Sequence, residues 1–341
     1  LSAPTPPGSG NGAGGPHAEA GVLRRWPSED GKRITVAAGV ELAISSCPPA
    51  RRDGHAFLCF HGLASNRRLF DEVASLLVER GFGVLSVDLR GHGGSSAPES
   101  GYDLATVVAD LCSLLDQVPW LGRPVVVGQS WGGNVALELG IALGPARCRG
   151  VVAIDGGTIE LQTAFPTFEA CLEALDPPDL TGVTPDQLRQ AISEHHPDFS
   201  ATGIEAQLAN FAVVDGRLRP HLDRRHHHEI LADLWRHRPS ERWALLGVPL
   251  LLVPAVEPGT EAGEAKLAAA RLAAERAGAP VEVEVFLHAD HDLHVQHPGR
   301  LADVLEQADA RLFDGTEPPA GADDPVGPST TTSRQTRRRH R

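Results

Sequence analysis

Short, nearly uninterrupted apolar runs that alternate with helically spaced segments constrain this chain more than any other feature. The runs are AFLCFHG (56–62), GVLSVDLRG (83–91), PVVVGQS (124–130), GVVAIDGG (150–157), PLLLVPA (249–255) and VEVEVFLHA (281–289). A strand without a polar face belongs in a sheet covered on both sides, since either face would otherwise expose apolar surface. The segments RLFDEVASLLVERG, DLATVVADLCSLLDQV, GNVALELGIALG, EAKLAAARLAAERAG and GRLADVLEQADARLF repeat their apolar residues at i, i+3, i+4 and i+7, one face of a helix. Such alternation predicts an α/β fold: a mostly parallel central sheet flanked by helices and joined by right-handed crossovers. Ahead of it, ITVAAGVELAIS (34–45) reads as an antiparallel hairpin turning at AAG.

One gap breaks the rhythm. From Thr158 to about Gly247 no strand pattern is evident, only helical segments such as TPDQLRQAISEHH and HHHEILADLWRHR. A structureless loop of that length does not suit a compact domain. Residues 158–245 are therefore predicted to form a helical cap over the carboxyl ends of the strands, where open α/β sheets place their ligands. The core then comprises 33–157 and 246–313. The Gly-, Pro-, Ser- and Ala-rich residues 1–32 are expected to be a largely disordered leader, and 314–341, closing on Arg337, Arg338, Arg339 and Arg341, a solvated tail.

Charge and cysteine usage narrow the function. A formal net charge of −13 lends no electrostatic support to nucleic-acid binding. No stretch approaches the roughly 20 apolar residues that span a bilayer. The five cysteines, Cys47, Cys59, Cys112, Cys148 and Cys171, lack CxxC spacing and are odd in number, so they read as reduced thiols. The expectation is a cytoplasmic protein acting on a small molecule, with neither nucleic acid nor membrane as partner.

Within PVVVGQSWGGNVAL, residues Gly128, Gln129, Ser130, Trp131 and Gly132 satisfy GxSxG where a predicted strand turns into a predicted helix. Small flanking residues permit a sharp turn that lifts a serine hydroxyl above the sheet edge, and the helix amino terminus behind it favours an anion. The motif alone is weak, because glycine and serine are common in any βα turn. An activated serine also needs a base and oxyanion donors. CFHGLASN puts His61, Gly62 and Leu63 just past an earlier strand, so the backbone N–H groups of Leu63 and Trp131 are candidate donors. The base must come from 16 histidines. His291, in LHADHDLHVQHPGRL after the last strand, fits the chain order Ser, acid, His, with His288, His294 and His297 as rivals. Two carboxylates qualify as the acid. Glu257 lies past the strand after the cap, and Asp155 ends the strand before it; either could orient an imidazole and stabilise its protonated form.

Taken together, FHGLASN, VDLRGHGGS, GQSWGG and DHDLHVQHP resemble the α/β-hydrolase family over most of residues 33–312. The resemblance implies Ser130 as nucleophile, His291 as base and Leu63 and Trp131 as backbone oxyanion donors. Many relatives place a Gly and then an Asp after the strand that follows the cap, where this chain has Pro254, Ala255, Val256, Glu257 and Pro258. A Glu can serve in the family, and a minority place the acid after the preceding strand, where Asp155 sits. Glu257 is placed narrowly first. A serine at the elbow argues against epoxide hydrolases and haloalkane dehalogenases, which use Asp there.

Other clusters read as structural. His226, His227 and His228 are consecutive on a helix, where side chains point about 100° apart and do not share one metal ion easily. His195 and His196, before Pro197, mark a helix end. DLRGHGG lacks a phosphate-binding register, and its Arg90 and His92 read as parts of a turn bordering the pocket. The expected activity is hydrolysis of a small or medium acyl ester or a lactone through an acyl-enzyme on Ser130, without metal or organic cofactor. C–C bond hydrolysis, perhydrolysis or acyl transfer by the same triad, and a non-catalytic small-ligand receptor, are the alternatives.

Overall fold

The computed structural model describes residues 25–27, 29–51, 54–180 and 182–314. Most of the expected leader and all but Asp314 of the expected tail lie outside these residues. Within the segment expected as leader, Trp26 is buried and its indole N–H donates to Asp71 at 3.0 Å.

Strands β1 (Glu29–Ala37) and β2 (Val40–Cys47) form the expected antiparallel hairpin. They are followed by β3 (Ala56–Phe60), helix α1 (Asp71–Glu79), β4 (Gly83–Val87), α2 (Leu104–Gln117), β5 (Val125–Gln129), α3 (Trp131–Arg147) and β6 (Gly150–Ile154). An insertion carries α4 (Leu161–Ala164), α5 (Phe168–Leu175), α6 (Pro185–His195), α7 (Ala201–Leu208), β7 (Phe211–Val214), β8 (Arg217–Pro220) and α8 (Arg224–Arg236). The chain closes with β9 (Leu250–Val253), β10 (Ala255–Val256), α9 (Glu261–Arg276), β11 (Val281–Val283), β12 (Phe286–Leu287), α10 (Leu293–Gln296) and α11 (Pro298–Ala308). Among the described residues, no helix is long and apolar enough to cross a membrane.

Eight strands form one sheet in the order β1-β2-β4-β3-β5-β6-β9-β11, and every pairing from β4 to β11 is parallel. The β5 valines show why the strands read as continuously apolar. Val126 belongs to the core layer that contains α2 and α3, whereas Val125 and Val127 belong to the opposite layer with α1 and α11. Each strand face thus buries β-branched side chains against helices, at a gain of about 1.5–3 kcal/mol per side chain.

Two sequence expectations need correction. The predicted strands 249–255 and 281–289 are each interrupted: Pro254 separates β9 from β10, and β10 pairs with β12 in a small separate parallel ladder. Proline has no N–H to give to a ladder, which explains why the main sheet stops there. The insertion also contains strands, because β7 and β8 form an antiparallel hairpin. Its turn, Asp215-Gly216, has φ of 50° and 72°, the left-handed pair that a tight hairpin demands. The signal VVDGRL was present in the sequence but lay inside a region read as helical.

Parallel pairing of β6 with β9 means that the insertion leaves from the carboxyl end of β6 and returns to the amino end of β9. It is anchored beside the carboxyl edge of the sheet. Phe199 and Ala206 pack with Leu69 and Val295 in a small apolar cluster, and the Asn66 side chain donates to the Ala206 carbonyl at 2.8 Å.

Candidate active site

The turn from β5 into α3 holds Ser130 at φ 55° and ψ −124°. A non-glycine residue there stores strain on the order of 1–3 kcal/mol, which the surrounding contacts must offset. Those contacts are close. Ser130 N–H donates to the Ile154 carbonyl at 2.8 Å, and Gly133 N–H donates to the Ser130 carbonyl at 2.8 Å. A methyl group on Gly128 would lie 2.0 Å from the Gly132 carbonyl oxygen, and one on Gly132 would lie 2.4 Å from that of His61. The GxSxG pattern is therefore required by backbone approach on both sides of the serine, as the tight strand-to-helix turn read from the sequence demands.

The segment after β3 reaches the same point. A methyl on Gly62 would sit 2.9 Å from Ser130 Cβ, so the Gly62–Leu63 turn packs against the serine. Two neutral imidazoles hold that turn. His61 Nδ1–H donates to the Gly62 carbonyl at 2.7 Å while its Nε2 accepts from Leu89 N–H at 3.0 Å. His92 Nδ1–H donates to the Arg90 carbonyl at 2.9 Å, and its Nε2 accepts from Ala64 N–H at 3.2 Å. Burial pushes His61 down to about 4 and His92 down to about 3, so both are uncharged at neutral pH. The His92 ring also stacks on Trp131, which is buried, at a centroid distance of 5.8 Å. The turn role assigned to His92 from sequence thus has a specific content: it fixes Ala64, next to Leu63, against the residue that follows Ser130. Arg90, also buried, is bound through two nitrogens to buried Asp110 at 2.6 and 2.7 Å.

Past the end of β6, Asp155 adopts φ 42° and is buried. Its Oδ2 meets His291 Nδ1 at 2.5 Å and Lys266 Nζ at 2.7 Å, while its Oδ1 accepts from Ala255 N–H at 3.0 Å. The switch from β9 to β10 at Pro254 supplies that last donor. Glu257 is elsewhere: it pairs with His288 at 3.1 Å, and both side chains are largely exposed. The narrow preference for Glu257 as partner of His291 is corrected on this point. β10 leaves the main sheet and carries Glu257 outward, whereas β6 stays beside β5 and delivers Asp155 to the edge that bears Ser130.

The His291 side chain is 55% exposed; partial desolvation by the groups packed around it would by itself depress its pKa, but the hydrogen bond and charge of Asp155, with Asp292 adding to them, leave it raised. Burial likewise opposes ionisation of Asp155, yet His291 and Lys266 hold its carboxyl below the ordinary range. Gln129, just before Ser130, donates through Nε2 to the His291 carbonyl at 3.1 Å and to Asp292 Oδ1 at 3.3 Å. Gln207 of α7 donates to Asp292 Oδ2 at 2.7 Å.

The other histidines singled out in the sequence lie in other surroundings. His294 is buried against Phe70, and His297 lies beside Phe286. His226 stacks on Tyr102 at 4.2 Å, His228 meets Asp176 at 2.9 Å, and His196 meets Asp290 at 2.9 Å. His195 Nδ1 approaches the Ala191 carbonyl at 2.8 Å. Among the described residues, no group of His, Cys, Asp or Glu side chains is arranged to hold a metal ion, and none of the five cysteines is in a disulfide. Sequence reading missed Gln129 and Lys266. Gln129 occupies a variable position of the motif, and a lone lysine on a helix remote in sequence carries no signal of its own.

The fold and this constellation define an α/β hydrolase. A model of the alpha/beta hydrolase family matches residues 57–304, and the chain belongs to that family. Among curated proteins it is similar to a 2-(acetamidomethylene)succinate hydrolase of Mesorhizobium japonicum, 31% identical over 170 residues, 49% of this chain and 58% of that protein. It also resembles a putative non-heme chloroperoxidase of Synechocystis, 38% identical over 88 residues, 26% of this chain and 32% of the relative. The matches thus span less than two thirds of those relatives. Among solved structures, an E-2-(acetamidomethylene)succinate hydrolase superposes with a TM-score of 0.65 at 23% identity, covering 81% of this chain and 97% of the other. A thioesterase domain from the curacin biosynthetic pathway superposes with a TM-score of 0.64 at 19% identity, covering 82% and 99%. These structural likenesses concern the fold.

Proposed function

We propose that this protein is a serine hydrolase of small or medium acyl esters or lactones, with Ser130 as nucleophile, His291 as base and Asp155 as the acid. The observation that carries the reading is the 2.5 Å contact of His291 Nδ1 with buried Asp155, on the sheet edge where Ser130 sits in its strained elbow. Asp155 sets the tautomer, so the proton lies on Nδ1 and Nε2 is left to accept the serine proton. Ser130 Oγ attacks the acyl carbonyl as His291 takes that proton. The negative charge passes to the carbonyl oxygen, stabilised by the N–H groups of Leu63 and Trp131 and by the amino end of α3. Collapse of the intermediate expels the alcohol, which receives the proton from His291. Water activated by the same imidazole then cleaves the acyl-enzyme and releases the acid.

The insertion acts in this reading as a cap over the site. Its support is the pair of ties that α7 makes, to the segment after the Leu63 turn through Asn66 and to the His291 loop through Gln207. Half-buried Leu63 and apolar residues of the insertion such as Leu161, Phe165 and Phe168 favour an apolar acyl group.

Labelling with a fluorophosphonate and turnover of a p-nitrophenyl ester series, each with Ser130→Ala as control, test the proposal. Labelling and turnover that vanish together in the variant are expected. Retention of full activity by Ser130→Ala would sink the mechanism, and a wild-type protein inert to both reagents would favour a ligand-binding role on the same fold. Product analysis separates hydrolysis from acyl transfer, perhydrolysis and C–C cleavage.

A further inference from the structure

Lys266 lies on α9, more than a hundred residues from Asp155 in sequence, yet its ammonium is 2.7 Å from Asp155 Oδ2 and 3.0 Å from the Ala255 carbonyl. The oxygen it contacts is the one that accepts from His291 Nδ1. We propose that Lys266 is a positioning residue that shares Asp155 Oδ2 with His291 and thereby limits how strongly the carboxylate holds a proton on the imidazole. The kinetic consequence rests on the catalytic reading above; the electrostatic linkage does not.

The argument follows from charge and geometry. A carboxylate that faces only an imidazole gives its full charge to stabilising the imidazolium, which raises the pH at which the base becomes free. A second cation on the same oxygen offsets part of that charge and competes for its lone pairs. It also fixes the carboxylate plane, because Lys266 bridges Asp155 to Ala255, whose own N–H binds Asp155 Oδ1. Among the described residues, the charged or titratable groups that act most on His291 are Asp155 from the end of β6, Lys266 from α9 and Asp292 from its own loop, with His294 of α10 coupled to it. Lys266 is the cation among them that touches the acid directly. Its side chain is 38% exposed and borders a cavity of about 190 Å³. Glu160, also on that cavity, is bound by Arg238 at 3.0 Å.

The test is an NMR titration of the His291 ring in the full chain, compared among wild type, Lys266→Met, Lys266→Gln and Lys266→Arg. Removing the charge is expected to raise the His291 midpoint by about 0.5–1 pH unit, while Lys266→Arg stays nearer to wild type. In p-nitrophenyl ester assays the acid limb of kcat/KM should move with it. Lys266→Met would lose about 3- to 10-fold near pH 6 and stay within about 2-fold at pH 9, where the base is already free. A midpoint that does not move in folded Lys266→Met overturns the proposal, as does a loss of activity equal at every pH. If the methionine variant does not fold, Lys266→Gln against Lys266→Arg decides by the same criterion. Absence of any Ser130-dependent turnover in the wild type would instead overturn the serine-hydrolase reading, and the imidazole titration would still decide the role of Lys266.

Discussion

Gln129 donates its side-chain amide to the His291 carbonyl at 3.1 Å, so the residue before the proposed nucleophile holds the loop that bears the proposed base. Ser130 and His291 come from segments 161 positions apart, and this bond, with its companion to Asp292, ties the two together. Replacing Gln129 with Leu keeps the bulk and removes both bonds. A small displacement of a catalytic group is enough to slow a reaction strongly. We expect kcat to fall about 10-fold or more with a smaller change in KM, measured on a p-nitrophenyl ester. Unchanged kcat would show that the loop is held by other contacts.

The two carboxylates make opposite predictions. Asp155→Asn should favour the wrong tautomer of His291 and reduce kcat by about 10³- to 10⁴-fold, by analogy with the loss of the acid in other triads. Glu257→Gln, which breaks only an exposed contact with His288, should remain within about 2-fold of wild type. Steady-state kinetics on the two purified variants checks both. A large loss in Glu257→Gln with a silent Asp155→Asn would reverse the assignment.

Acidification should destabilise the fold while it also slows the reaction. His61, His92, His227 and His294 are held down, mainly by burial, at about 4, 3, 4 and 4, so the unfolded chain binds protons at these sites below pH 6.5 while the folded chain does not. Their stability contribution is complete above about 6.5 and declines as pH falls toward those folded values. His291 has the reverse sign: its raised pKa stabilises the fold below the unfolded value and is lost as pH rises through the folded one. His221, lowered by burial as well, adds to the four, so among the described histidines five sites oppose one and Tm should drop from pH 7 to pH 5. The rate should fall as pH falls through an apparent pKa above the ordinary histidine value, because the base must be neutral. A Tm that rises on acidification would contradict this balance.

Gly156 offers a steric test. A Cβ there would lie 2.1 Å from the Ser130 carbonyl oxygen, which is backbone and cannot rotate aside. Gly156→Ala should displace the elbow, lowering kcat by more than about 10-fold and stability by about 1–3 kcal/mol, read by ester turnover and denaturant unfolding. Near-normal activity in this variant would mean that the elbow tolerates a shift.

Local pattern carried much of this protein into view. The valines of PVVVGQS mark a strand buried on both faces, the glycines around Ser130 mark a turn that only a residue without a side chain permits, and His291 stands where the chain order of a triad puts it. Each rests on short-range physics: side-chain burial, backbone sterics and the direction in which a strand must turn. The choice between Asp155 and Glu257 was different in kind. Both follow a strand, and both could orient an imidazole. What separates them is that Pro254 ends the pairing of β9, so Glu257 leaves with β10 while Asp155 stays on the main sheet beside Ser130. The bonds of Lys266 and Gln129 likewise join segments that are remote in sequence. A composition or a period contains no distance between such segments; only the packed sheet and its helices bring the charges into register.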